Sequence, residues 1–226
     1  MIKSFRILLI AFFCIALFEN STAQRYDAGG IGSISLSKNF GRYWDAKVEQ
    51  ELRFNQSFLS FDRSLTAVMV DYSLLPKLLK AGIEYNFLYQ KQNEIFEYRH
   101  RASLALTTQF KLSDLDLNLR SRFQSTWRDE LRGDYKFNPK YVWRNKLECT
   151  YNIFGSPIKP SASAEVFFPI NGINGFYLDS YRLKLAAKYK YSAHQSIETF
   201  IRYDSEIQQV APKSILYFGL SWNYKM

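Results

Sequence analysis

Two cysteines and two histidines are all that the 226-residue chain carries. No Cys/His spacing of a metal site occurs. Asp62 and Asp71 have no companions at calcium-loop intervals. There is no glycine-rich phosphate loop. No metal and no cofactor is therefore expected. Cys14 lies in a leader-like segment, which leaves Cys149 alone in the rest of the chain. An exported chain with one thiol forms no internal disulfide, which argues against a small secreted scaffold. Beyond the leader no apolar run reaches the length of a transmembrane helix. The mean hydropathy of −0.26 also excludes a helical membrane protein.

The leader has a recognisable grammar. Lys3 and Arg6 precede an apolar run from Ile7 to Phe18, and Ser21-Thr22-Ala23 supplies small residues. The run is too short to span a bilayer, so cleavage after Ala23 is expected, with Gln24 as the mature N-terminus. Residues 1–23 are then a signal peptide and 24–226 a single domain. Cys14 sits inside the apolar run rather than at the cleavage point, so no lipoprotein is expected. The chain has 30 Lys+Arg against 21 Asp+Glu. An exported basic protein rarely meets nucleic acid. Anionic lipopolysaccharide or phospholipid headgroups are the expected counter-charge.

What is abundant is aromatic. Sixteen Tyr and nineteen Phe help bring the aromatic share to 17%. Such content suits strands and membrane-interface girdles. Period-two segments recur along the chain, separated by turn signals. Trp44, Val48, Leu52 and Phe54 alternate with Glu49, Glu51 and Arg53. Ile83, Tyr85 and Phe87 flank Glu84. Tyr98, His100 and Leu104 alternate with Glu97, Arg99 and Arg101. Leu119, Phe123 and Trp127 share a segment with Arg120 and Arg122. Trp143, Leu147 and Cys149 interleave with Arg144, Lys146 and Glu148. Val166 and Phe168 stand opposite Glu165, and Leu183 and Leu185 opposite Arg182 and Lys184. The last segment, Ser214–Met226, presents Leu216, Phe218, Leu220, Trp222 and Tyr224 on one face. Gly219, Trp222 and Tyr224 within it resemble a C-terminal assembly signal of outer-membrane barrels, so the barrel-assembly machinery is an expected partner.

These patterns predict an all-β transmembrane antiparallel barrel of about 10–12 strands in an up-and-down meander, in a Gram-negative outer membrane. Eleven segments are legible, whereas single-chain bacterial barrels have an even number. Either Gln24–Lys38 does not fully span, leaving ten, or a short strand is hidden, making twelve.

The charged faces of the strands would line a narrow lumen, where charges must pair or stay hydrated. That predicts either a plug of salt bridges stiffening the wall or a narrow pore for a small anionic solute. An enzyme is the alternative. The Lys111–Asp114 turn would pair Phe110 with Leu115, setting His100 opposite Ser125 on the outer wall, with Asn145 diagonal to them. Ser, His and Asn there resemble the arrangement of outer-membrane phospholipase. The local motif of that family is absent. An ordinary girdle His beside Tyr98 and Trp127 is the plainer reading.

One further resemblance covers nearly all of the mature chain. It is carried by Glu49-Gln50-Glu51-Leu52-Arg53-Phe54, Asp62-Arg63, Glu97-Tyr98-Arg99-His100-Arg101, Arg120-Ser121-Arg122-Phe123, Arg144-Asn145-Lys146-Leu147 and Ala164-Glu165-Val166-Phe167. These segments resemble an outer-membrane β-barrel family catalogued as domain of unknown function two-four-nine-zero. The resemblance implies an outer-membrane barrel and no assigned activity. If the last segment is the closing strand, deleting Trp222–Met226 will abolish outer-membrane assembly. Fractionation of the truncated protein checks this, and normal insertion would refute it.

Overall fold

Alternation of side chains on a strand puts one polarity on each face of a sheet, and closing the sheet turns the faces into a wall and a lumen. The computed structural model describes residues 25–92, 95–128, 138–172, 175–207 and 212–226. The expected leader and its cleavage point lie outside these residues. So do parts of the expected loops at 128–139, 169–175 and 206–213.

The described residues form eleven strands and no helix. These are β1 (Arg25–Phe40), β2 (Trp44–Asn55), β3 (Ser60–Leu75), β4 (Leu79–Gln92), β5 (Ile95–Leu112) and β6 (Leu115–Arg128), then β7 (Lys140–Tyr151), β8 (Ile158–Pro169), β9 (Ser180–Lys190), β10 (Gln195–Glu206) and β11 (Lys213–Lys225). Each strand pairs antiparallel with the next, and β1 closes on β11.

The strand count falls within the expected 10–12, and the expectation that every pairing is antiparallel is corrected at the seam. Residues 25–38 span fully, and the count is eleven. An odd number of alternating strands leaves the first and last pointing the same way. The seam is therefore parallel, in register from Arg25↔Lys213 to Ser37↔Lys225. A parallel ladder still satisfies its backbone groups, through evenly spaced, slanted bonds. Side chains reinforce it. The Ser33 and Ser221 hydroxyls are 2.7 Å apart, and Ser35 donates to Asn223 Oδ1 at 2.7 Å.

One end of the barrel carries the tight connections at Gly41, Lys77, Ser113, Gly155 and His194. We call it the turn end. Gly41 has φ +64°, the left-handed conformation its loop needs. The other end, the loop end, carries the two longest connections, 129–139 and 170–179. On the outer wall Ile83, Leu104, Leu147 and Leu220 are more than half exposed. Apolar exposure of this kind all around a closed sheet suits hydrocarbon rather than water. Aromatic rings flank the band at both levels. Phe61, Tyr89, Phe96 and Tyr98 cluster toward the loop end, and Trp44, Tyr72, Trp222 and Tyr224 toward the turn end.

The lumen is polar, with an apolar cluster of Ile31, Phe200 and Tyr217 beside the seam. Phe200 lies flat over Gly219, its partner in register. A Cβ at Gly219 would stand 2.0 Å from the Phe200 ring, so only glycine admits the ring there. Gly219 thus serves lumen packing, while Trp222 and Tyr224 belong to the outer girdle.

Parallel closure sets Arg25 at the loop end and Met226 at the turn end. Protease sites engineered before Arg25 and after Met226, in protein inserted one way into vesicles, will be cut from opposite sides. Cleavage of both from the same side would require an even-stranded barrel.

Candidate functional site in the barrel lumen

Residues at i and i+2 of a strand share a face, so closely spaced charges of opposite sign pair along the wall. Lys47 pairs with Glu49, Arg53 with Glu51, Arg99 with Glu97, and Lys146 with Glu148. Other pairs cross between strands. Lys184 Nζ lies 2.5 Å from Glu198 Oε1. Arg122 on β6 reaches Glu84 on β4 at 2.6 Å, passing over β5 at the level of Ser103 and Ala105. Only small residues on the intervening strand leave room for that reach.

Glu165 is the hub. It is almost wholly buried, and three guanidinium groups converge on it: Arg144 at 2.9 Å, Arg182 at 3.4 Å and Arg120 at 3.5 Å. Arg182 also holds Asp204 through two hydrogen bonds of 2.8 and 2.9 Å, and Arg202 approaches the same carboxylate at 3.1 Å. A belt of alternating charge thus runs across β6 to β10. Fixed forks matching carboxylates make arginine suited to it.

Aromatics take part inside as well as outside. Arg144 and Arg182 lie over the Phe167 ring at 4.8 and 5.3 Å. Lys184 lies 4.1 Å above Phe200, and Arg202 4.7 Å above Tyr217. These cation–π contacts add to charge stabilisation where water is scarce. The lumenal aromatics and Asp204 had escaped the sequence reading, which treated aromatic stripes as lipid-facing. Their signal was parity: Phe167 shares a face with Glu165, Phe200 with Glu198 and Arg202, and Tyr217 with Gly219.

Two cavities occupy the lumen, and no residue lines both. The loop-end chamber is about 330 Å³. Nine Arg or Lys side chains line it, among them Arg53, Arg63, Arg99 and Arg101, against the four carboxylates Glu49, Glu51, Glu84 and Asp179. The turn-end chamber, about 420 Å³, is lined by Lys47, Lys159, Lys188, Lys190 and Lys225, with no carboxylate in its lining. Among the described residues, basic side chains outnumber carboxylates in the lining of both chambers.

The expected Ser/His/Asn arrangement is not assembled. The hairpin pairs Leu112 with Leu115, two residues off the expected register. His100 therefore faces Trp127, and Ser125 faces Ala102. The His100 Nδ1 atom lies 2.6 Å from the Tyr85 hydroxyl, a girdle contact. Ser125 is buried, and its hydroxyl has no partner among the described residues. On β7 its neighbour is Tyr141, while Asn145 faces Ser121. Four residues of strand, about 13 Å, separate Asn145 from the level of Ser125.

Removing the hub carboxylate leaves three guanidinium groups without their shared counter-charge. Glu165→Gln is expected to cost about 3 kcal/mol of stability, the scale for breaking a buried pair. Urea unfolding of protein refolded into lipid vesicles measures it. A change below about 0.5 kcal/mol, the scale of an ordinary surface substitution, would show that Glu165 is no hub.

Comparisons with known proteins agree with the architecture. The chain is similar in fold to a solved "Bacterial polysaccharide outer membrane secretin", with TM-score 0.53 and 12% identity over 79% of this chain and 63% of that one. It also matches "Anion-selective porin from Comamonas acidovorans", with TM-score 0.38 and 12% identity over 82% and 53% of the two chains. A third match is "Outer-membrane expressed OmpT of Vibrio cholerae", with TM-score 0.38 and 10% identity over 72% and 54%. At these identities the likeness is one of fold alone, and the chain spans less than two thirds of each of these proteins. No curated protein matches the chain. The family model described as "Protein of unknown function (DUF2490)" matches residues 31–212, and the chain belongs to that family.

Proposed function

We propose that the protein is a narrow pore of a Gram-negative outer membrane, favouring small anions and closed to larger solutes. The observation that carries this reading is the pair of cationic chambers, one at each mouth, divided at mid-height by ion pairs and Phe200. A ring of like charge at a constriction selects for the opposite sign. The dividing layer keeps the passage tight. Export by the leader, assembly by the barrel-assembly machinery and contact with lipopolysaccharide through exposed basic residues belong to the same reading.

A wholly structural barrel is the second reading. It is favoured by the belt around Glu165, which fills the wall with paired charge as small barrels fill their interiors.

Planar-bilayer recording separates the two. The narrow pore gives small current steps, and in a potassium chloride gradient the reversal potential shifts toward that of chloride. A bare-membrane baseline supports the structural barrel. Large steps with no ion preference, or a preference for potassium, would overturn the proposal.

A further inference from the structure

Most arginines lining the loop-end chamber have a carboxylate partner. Arg53 has Glu51, Arg63 has Asp62, Arg99 has Glu97, Arg122 has Glu84, and Arg144 has Glu165. Arg101 breaks the pattern. It projects from β5 into the chamber between Asn86 on β4 and Thr126 on β6, its neutral partners in register. No carboxylate among the described residues forms an ion pair with it. Its one hydrogen bond is a long one, from Nε to Thr126 Oγ1 at 3.4 Å. Bonds of that length are weak.

The surroundings of Arg101 are nevertheless ordered. Thr126 is buried and also accepts a hydrogen bond from Gln124 Nε2 at 3.2 Å. Gln124 Oε1 in turn accepts from Arg144 Nη1 at 2.8 Å. Arg101, Thr126, Gln124 and Arg144 thus form one connected row on the chamber wall. The row holds two guanidinium groups, and the terminal nitrogens of Arg101 make no hydrogen bond among the described residues. Nearby, the Arg122 Nε atom is buried and has no hydrogen-bond partner among the described residues. A cation inside a narrow lumen, among other cations and with no ion pair among the described residues, gains most from an anion that arrives from outside. Groups held against their own electrostatic preference are characteristic of binding sites.

We propose that the loop-end chamber is an oxyanion-binding site in which Arg101 is the principal determinant. Its ligand is a compact solute bearing a carboxylate or phosphate group, which the guanidinium fork grips through two parallel hydrogen bonds. A chamber of about 330 Å³ lies at the small end of ligand pockets, which excludes long polymers from it. The site deepens the narrow-pore reading: it is where an anion would pause on entering from the loop end.

The test is calorimetric titration of the refolded full-length barrel, in a non-ionic detergent, with inorganic phosphate and separately with succinate. The proposal expects binding of at least one of them. Arg101→Gln will weaken that binding at least tenfold. Arg101→Lys will weaken it as well, because a point charge replaces the fork. Lys77→Gln, the same charge change made in a turn, will leave the affinity unaltered. Arg101 forms no ion pair among the described residues, so Arg101→Gln is expected to unfold in urea as the wild type does, and that measurement separates lost binding from misfolding. Absence of binding for both anions at millimolar concentration would overturn the site. So would equal affinities in the Arg101→Gln and Lys77→Gln proteins. Binding without conductance keeps the site and removes the pore; conductance without binding does the reverse.

Discussion

A strand in hydrocarbon has no water to satisfy its backbone, so every N–H and C=O must find a partner within the sheet. Closure is the only solution for a sheet, and the rest of this structure follows from it. Eleven crossings close as well as ten or twelve if the seam is allowed to run parallel, as β1 and β11 do. The seam then has its own requirements. Small and polar residues, Ser33, Ser35, Ser221 and Asn223, hydrogen-bond across it in the lumen. Gly219 yields space for Phe200. The parallel seam also sets Arg25 and Met226 at opposite ends of the barrel, where an even barrel would bring the start of its first strand and the end of its last to one side.

Closure creates an interior that water only partly fills, and this raises the stakes for every charge placed there. The chain answers with arginine–carboxylate pairs and with aromatic rings under the cations. Glu165, shared by Arg120, Arg144 and Arg182, shows how far the sharing goes. Buried pairs of this kind are weak evidence for net stability, but losing one partner is costly. They fix the lumen's shape more than they strengthen the fold. Against that background Arg101, which forms no ion pair among the described residues, and the carboxylate-free lining of the turn-end chamber are departures. They are the features on which the proposed preference for anions rests.

Much of the architecture was legible along the chain because the governing signal is local. Alternation in β2, where Trp44, Val48 and Leu52 face lipid and Glu49, Glu51 and Arg53 face the lumen, requires nothing beyond the geometry of an extended strand. The same alternation implied eleven segments, and the structure contains eleven strands. Lumenal aromatics such as Phe167 and Tyr217 were hidden by composition, since most aromatics in the chain do face outward.

Pairings between strands were beyond local reading. A two-residue slip in the β5–β6 hairpin set His100 against Trp127 and dissolved the candidate Ser/His/Asn arrangement. Nothing in the residues of that turn distinguished the two registers. Which arginine meets which carboxylate likewise depends on the stagger of strands around the closed wall, as with Arg122 reaching across β5 to Glu84. By itself the sequence determined which side of each strand meets lipid and which meets the lumen, because polarity at period two is a property of neighbours along the chain. Only the tertiary structure decided that the barrel closes through a parallel seam, that Glu165 is shared by three arginines and that Arg101 forms no ion pair among the described residues, because those depend on register and closure between residues far apart in the chain.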